Sequence, residues 1–172
     1  MKICVIGYSG SGKSTLAKRL GEFYNIPILH LDSVNFLPGW QVRDNNEMNS
    51  IVDDFLHNNV SWIIDGNYSK VGTKRFELCD QVIFLNYNRF TCLKGVIQRY
   101  KDHKGKTRSD MAEGCDENLD LKFLWWVFQK GRNHKRRKKL HSYATSCENY
   151  KIFNNRKQLN KYLTELGLTN LN

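Results

Sequence analysis

Eight residues near the N-terminus, Gly7-Tyr8-Ser9-Gly10-Ser11-Gly12-Lys13-Ser14, satisfy the pattern G-x-x-x-x-G-K-[ST] at every fixed position. The pattern sits where its mechanism requires. An apolar run, Ile3-Cys4-Val5-Ile6, precedes it, and Leu16, Ala17, Leu20 and Phe23 follow at helical spacing. A glycine-rich turn between strand and helix lets consecutive backbone N–H groups converge on a phosphate, and the helix N-terminus adds its partial positive charge. Within such a loop Lys13 reaches the β/γ-phosphates and the Ser14 hydroxyl ligates Mg²⁺, so the nucleotide site is expected over Gly7, Ser9, Gly10, Ser11, Gly12, Lys13, Ser14 and Thr15. Gly is about 7% of residues on average, so a chance match in a chain of this length arises on the order of once in a hundred sequences. ATP with Mg²⁺ is the expected ligand pair.

The rest of the chain supports one kind of scaffold. Five short apolar runs, at 3–6, 28–30, 62–64, 82–85 and 150–153, read as buried parallel strands. Helical periodicity lies between them: Met48, Ile51, Val52, Phe55 and Leu56; Leu93, Val96, Ile97 and Tyr100; Leu159, Tyr162, Leu163 and Leu166. Strand alternating with helix predicts a doubly wound α/β sheet whose ligands bind beyond the carboxyl ends of the strands. With 172 residues, no internal repeat and no linker, one domain spanning 1–172 is expected. Two stretches interrupt the alternation. Residues 101–118 are polar and contain Gly105 and Gly114, which predicts a mobile lid, because a loop this long in a compact domain is usually functional. Residues 119–140 read as one or two helices, aromatic first and then strongly basic.

Two familiar uses of such a loop fit poorly. Guanine recognition needs N-K-x-D, and the nearest match, Asn160-Lys161-Tyr162-Leu163, lacks the Asp. A motor-type ATPase needs Glu after the strand-end aspartate, where this chain has Asp65-Gly66. Asp65 still suits a metal role, since a strand-end carboxylate lies beside the phosphate loop; it also suits opening the turn Asp65-Gly66-Asn67. Asp32, ending the second apolar run, is placed either to orient an acceptor hydroxyl and join the Mg²⁺ shell or to cap a turn. His30 reads as a partly buried strand-end side chain. Trp40, in the loop Pro38-Gly39-Trp40, is open between stacking on an acceptor and covering the core. Phosphoryl transfer is largely positioning and charge neutralisation, so the expected neutralising set is Lys13, Arg99, Arg108, Arg132 and Arg136, with Arg75 near the acceptor side.

Charge is uneven. The first 60 residues carry 5 basic and 6 acidic side chains, and residues 101–172 carry 16 and 8. A polyanionic substrate, a nucleic acid and a solvated helix face all explain a basic second half. Seven basic residues fall among the ten at 130–139, a run that nucleic acid binding would use, although a phosphate clamp is the favoured reading. Five scattered cysteines without a C-x-x-C pair argue for reduced thiols in a cytoplasm. No apolar run approaches the ~20 residues of a membrane span, and the N-terminus lacks a signal-peptide pattern.

Taken together, these motifs resemble the adenylate-kinase-like small phosphate-loop kinases, through residues 7–15, the strand end Trp62-Ile63-Ile64-Asp65-Gly66, Arg75 ahead of Val82-Ile83-Phe84-Leu85, and a basic segment from about Arg99 to Arg108. The chain is most similar to the bacterial branch labelled DNA topology modulation proteins, through His30-Leu31-Asp32, Pro38-Gly39-Trp40, Asp65-Gly66-Asn67-Tyr68, Thr107-Arg108-Ser109-Asp110-Met111 and Phe123-Leu124-Trp125-Trp126-Val127. The resemblance implies a P-loop NTPase fold with a five-stranded parallel sheet, helices on both faces, a lid whose arginines close over the phosphates, and transfer of the γ-phosphoryl of ATP. It implies an acceptor pocket between the second and third strands, among Asp32, Trp40, Gly66, Asn67 and Arg75. The Asp-Gly-Phe-Pro-Arg of adenylate kinases proper is Asp65-Gly66-Asn67-Tyr68 here, so the acceptor stays open between a nucleotide and a small hydroxyl compound. The alternative is a nucleic-acid-associated regulator that uses ATP as a conformational ligand.

Overall fold

A computed structural model describes residues 1–168. In chain order its elements are β1 (Lys2–Gly7), α1 (Lys13–Tyr24), β2 (Ile28–His30), α2 (Leu31–Asn35), β3 (Phe36–Leu37), a 3-10 turn (Pro38–Trp40), β4 (Gln41–Val42), α3 (Asn45–Asn58), β5 (Trp62–Asp65), α4 (Arg75–Leu78), β6 (Gln81–Leu85), α5 (Arg89–His103), α6 (Leu121–Phe128), a second 3-10 turn (Lys130–Arg132), α7 (His134–Ala144), β7 (Tyr150–Phe153) and α8 (Arg156–Glu165). Five strands form a parallel sheet in the order β2-β5-β1-β6-β7, and β3 pairs antiparallel with β4 in a separate hairpin. The five predicted apolar runs are these five parallel strands.

The central strands are apolar at nearly every position because helices cover both faces of the sheet. Ile3, Cys4, Val5 and Ile6 of β1, Trp62, Ile63 and Ile64 of β5, and Val82 to Leu85 of β6 are all buried in one apolar core. From α1, Leu16, Ala17 and Leu20 reach the same core. Helix starts follow simple cap chemistry. The side chains of Asp44, Asn88, Asp120, Asn133 and Asn155 accept hydrogen bonds from backbone N–H groups in the first turns of α3, α5, α6, α7 and α8. The basic–aromatic stretch divides into α6 and α7 because Gln129 leaves helical geometry at φ −126°, ψ −65°.

The order of the strands creates the working edge. From β1 the chain runs outward to β2, and from β5 it crosses back over β1 to β6, so the crevice beyond the strand ends opens between β1 and β5. Val5 pairs with Asp65, and Asp65 with His30, so the carboxyl ends of three strands present the phosphate loop, Asp65 and His30 side by side.

Candidate active site

The phosphate loop is held by sterics that only glycine allows. Gly10 (φ +77°) lies against α5, where a Cβ would come 2.1 Å from the Cys92 carbonyl oxygen. The contact is mutual: a Cβ on Gly95 would come 2.1 Å from the Gly10 carbonyl oxygen. At Gly12 (φ +89°), which caps α1 in the left-handed region, a Cβ would meet nothing within 4 Å, so the loop faces open space there. Within the loop Ser11 N–H donates to the Tyr8 carbonyl (3.1 Å), and Lys13 Nζ bends back toward the same oxygen (3.4 Å).

Beside the loop, Ser14 Oγ donates to Asp65 Oδ2 (2.8 Å), and the other carboxylate oxygen of Asp65 meets His30 Nδ1 at 2.5 Å. Asp65 is only 4% exposed. A hydroxyl at the start of α1 bonded to a strand-end carboxylate is a donor set that suits Mg²⁺, which takes one or two protein oxygens and completes its shell with phosphates and water. The residues present therefore fit Mg²⁺ bound together with a nucleotide. Asp32 accepts a hydrogen bond from the Tyr68 hydroxyl (2.8 Å). Burial, and then the Asp32 carboxylate, push the Tyr68 phenol far above its ordinary pKa, so Tyr68 is a permanent donor to Asp32.

The segment expected as a mobile lid is folded down onto this site. Helix α5 runs through its first three residues, and Lys104 and Thr107 then bridge to Glu117 and Asp116. Met111 and Cys115 are buried. Lys18 Nζ of α1 donates to Ser109 Oγ (2.5 Å), Gly39 N–H to the Gly114 carbonyl (3.2 Å), and Cys115 Sγ to the Leu37 carbonyl (3.3 Å). The segment thus touches α1 on one side and the β3–β4 hairpin on the other. At its centre Glu117, 4% exposed, takes Arg99 on Oε1 (2.7 Å) and Arg108 on Oε2 (2.9 Å), and Arg108 also pairs with Asp110 (2.8 Å). Burial raises the Asp110 carboxyl, but Arg108, and after it Ser14, Lys18 and His30, outweigh this and hold the group below its ordinary value.

The remaining expected site residues divide. Arg132 is at the loop: its guanidinium lies 3.6 Å over the Tyr8 ring and donates to the Tyr87 carbonyl (2.9 Å). Arg136 lies over Trp126 (5.1 Å) and lines a cavity of about 550 Å³ with Arg89, Lys130, Arg132 and the amides of Gln129 and Asn133. Asn67 is turned to β1, where it accepts from the Gly7 N–H (3.0 Å) and donates to the Gly7 carbonyl. Gly66 packs against Leu31 and donates to the Val5 carbonyl (3.1 Å). Trp40 is 42% exposed and meets Phe36 edge-on rather than covering the core. Arg75 is 0% exposed and serves the backbone alone, as taken up below. Reading the sequence did not single out Gly95, Glu117 or Asp110 as site residues. Gly95 carries no local signal, since only its packing against Gly10 gives it meaning. The others are two of the five acidic residues within 101–118, and their ion pairs rather than any local spacing set them apart.

No protein-family model matches the sequence, and no curated protein is significantly similar to it. Solved structures are similar along nearly the whole chain. Shikimate kinase from Bacteroides thetaiotaomicron superposes with a TM-score of 0.57 at 16% identity, covering 96% of both chains. Shikimate kinase from Acinetobacter baumannii gives 0.53 at 15%, covering 95% of this chain and 93% of the other. Deoxyadenosine kinase from M. mycoides gives 0.51 at 16%, covering 97% and 98%. The fold is that of the small phosphate-loop kinases. No described helix is long and apolar enough to cross a membrane.

Proposed function

We propose that this protein is an ATP-dependent phosphotransferase of the adenylate-kinase-like class, a single cytoplasmic domain that moves a γ-phosphoryl group to a small acceptor. The observation that carries the reading is the Ser14–Asp65 hydrogen bond, 2.8 Å long, at the mouth of the phosphate loop. A hydroxyl and a carboxylate so joined would serve Mg²⁺ beside the phosphates of a nucleotide, and Asp32 with Tyr68 would serve the acceptor. The similar structures named for kinases agree in fold with this reading.

The residues have separable tasks. Backbone N–H groups of Gly7, Ser9, Gly10, Ser11, Gly12 and Thr15 cradle the phosphates, and Lys13 swings from the Tyr8 carbonyl onto the β/γ oxygens. Ser14 and Asp65 would hold Mg²⁺. When bound, that ion neutralises charge building on the phosphoryl oxygens. Arg99 from α5 and Arg108 from the folded segment would bring positive charge to the phosphates, Arg132 lies over Tyr8 from the second 3-10 turn, and Arg136 reinforces the positive field from the neighbouring cavity. Closing the lid excludes water, so transfer outruns hydrolysis. Asp32 is set to align the acceptor hydroxyl.

A second reading has one observation in its favour: Lys135, Arg136, Arg137, Lys138 and Lys139 of α7 are all exposed. A nucleic-acid-associated regulator of the DNA topology modulation type would use such a row. The two readings separate in one experiment. ADP release is followed while nucleosides, nucleotides and polyols are offered as acceptors, with wild type and Lys13→Ala side by side, and DNA binding is titrated against salt. Acceptor-dependent ADP release lost in Lys13→Ala supports the kinase. Tight DNA binding at physiological salt, unaffected by Lys13→Ala and without any acceptor-dependent release, overturns it.

A further inference from the structure

The charges around the acceptor side narrow what can bind there, given the kinase reading above. The arginine expected near the acceptor is withdrawn from it. Arg75 Nη1 donates to the carbonyls of Val71 (3.0 Å) and Gly72 (2.5 Å), and Nη2 to those of Tyr68 (2.8 Å) and Gly66 (3.4 Å). The side chain is wholly buried and its guanidinium lies 4.3 Å over the Phe76 ring. Four carbonyls of the loop that follows β5 thus depend on this cation, and a ligand phosphate can reach it only by dismantling the loop.

The other cations near the crevice are committed as well. Arg43 donates through Nε to the Val34 carbonyl (2.7 Å) and pairs through Nη1 with Glu47. Arg108 is shared between Asp110 and Glu117, and Lys18 is turned to Ser109. What faces the crevice is of the opposite kind. Asp32, half-buried just past β2, accepts from the Tyr68 hydroxyl (2.8 Å). A carboxylate at this position accepts hydrogen bonds from hydroxyl groups and offers a second phosphate dianion no counter-charge.

We infer that the acceptor carries no phosphate: it is a compound that presents hydroxyl groups, recognised by Asp32. A nucleoside monophosphate would meet Arg75 sealed beneath the loop after β5 and Arg43, Arg108 and Lys18 already paired. In the transfer, the acceptor hydroxyl oxygen forms the new P–O bond as the bond from the β,γ-bridging oxygen to the γ-phosphorus breaks. ADP leaves with that electron pair, and the hydroxyl proton passes to solvent.

Binding of a dinucleoside pentaphosphate tests the inference without knowledge of the acceptor, because it joins an ATP moiety to a second nucleoside 5′-phosphate. Its affinity is compared by calorimetry with that of a non-hydrolysable ATP analogue, both with Mg²⁺ and the full-length protein. The five common nucleoside monophosphates are then titrated into the analogue complex. The expected result is no tightening by the pentaphosphate and no monophosphate binding up to the ~1 mM range typical of substrates. Tightening by about a hundredfold or more, as a two-substrate analogue gives when both halves are recognised, overturns the inference. So does any monophosphate that binds the analogue complex and also releases ADP from ATP. If instead the ATP analogue itself does not bind, or binds Lys13→Ala equally well, the kinase reading has failed rather than the acceptor class.

Discussion

The proposed nucleotide and acceptor sides of this crevice are built by opposite strategies. On the nucleotide side one unbroken stretch of nine residues supplies the cradle, the lysine and the metal hydroxyl, and open space remains above Gly12 for a ligand. On the acceptor side the working groups come from β2, β5, the loop after β5 and the folded lid, and they are bonded to one another: Asp32 to Tyr68, Arg75 to four carbonyls, Arg108 to Asp110 and Glu117. The first side waits for a ligand to complete it, and the second is already complete. On the proposed kinase reading, recognition of ATP would rest on local backbone geometry and recognition of the acceptor on long-range contacts.

Mutations on the two sides should fail in different ways. Lys13→Ala should lower phosphoryl transfer by two to three orders of magnitude while leaving the thermal midpoint unchanged, because only a ligand contact is lost. A turnover within about fivefold of wild type would remove the lysine from the mechanism. Arg75→Met should do the reverse. It strands buried carbonyls of the loop after β5, at about 3 kcal/mol of stability by denaturant titration, with the folded fraction still binding the ATP analogue. Loss of acceptor turnover in a fully stable Arg75→Met protein would contradict the division drawn here.

Glu117→Gln should have an intermediate effect. Arg99 and Arg108 lose their shared counter-charge, and the folded segment opens at about 1–2 kcal/mol lower cost. Limited proteolysis over 104–118 should accelerate in the variant and slow again when the ATP analogue and Mg²⁺ are added. Equal cleavage of variant and wild type would mean that Glu117 does not hold the lid. The smallest effect belongs to α7. Replacing Lys135, Lys138 and Lys139 together by Ala should leave turnover within about twofold of wild type, since solvated charges contribute little to a site they do not face. A tenfold loss would bring this face into the mechanism, and a weakened DNA complex would favour the regulator reading.

The same contrast governs what was legible in the sequence. Residues 7–15 announce their geometry because each fixed residue answers a local demand, and the five apolar runs announce β1, β2, β5, β6 and β7 because parallel strands are buried on both faces. Asp65 was legible as a strand-end carboxylate. Arg75 was legible as an acceptor-side arginine, yet not as a buried one, because its partners are carbonyls and carbonyls leave no trace in composition. The β3–β4 hairpin is too short to show a period, with two residues in each strand. The docking of 101–118 depends on Leu37, Gly39 and Lys18, all more than sixty residues earlier in the chain.

The meeting of Gly10 and Gly95 has a mechanical consequence. Two backbones touch there without side chains between them, and side chains are what normally absorb small displacements at a helix contact. From Gly95 to the end of α5 at His103 the helix extends about 12 Å at 1.5 Å per residue, directly into the segment that carries Arg108. A tilt of about 5° at the contact displaces that end by about 1 Å over this length. The helix is thus a stiff lever whose short arm rests on the phosphate loop, and a single methyl group added at either glycine would jam its fulcrum.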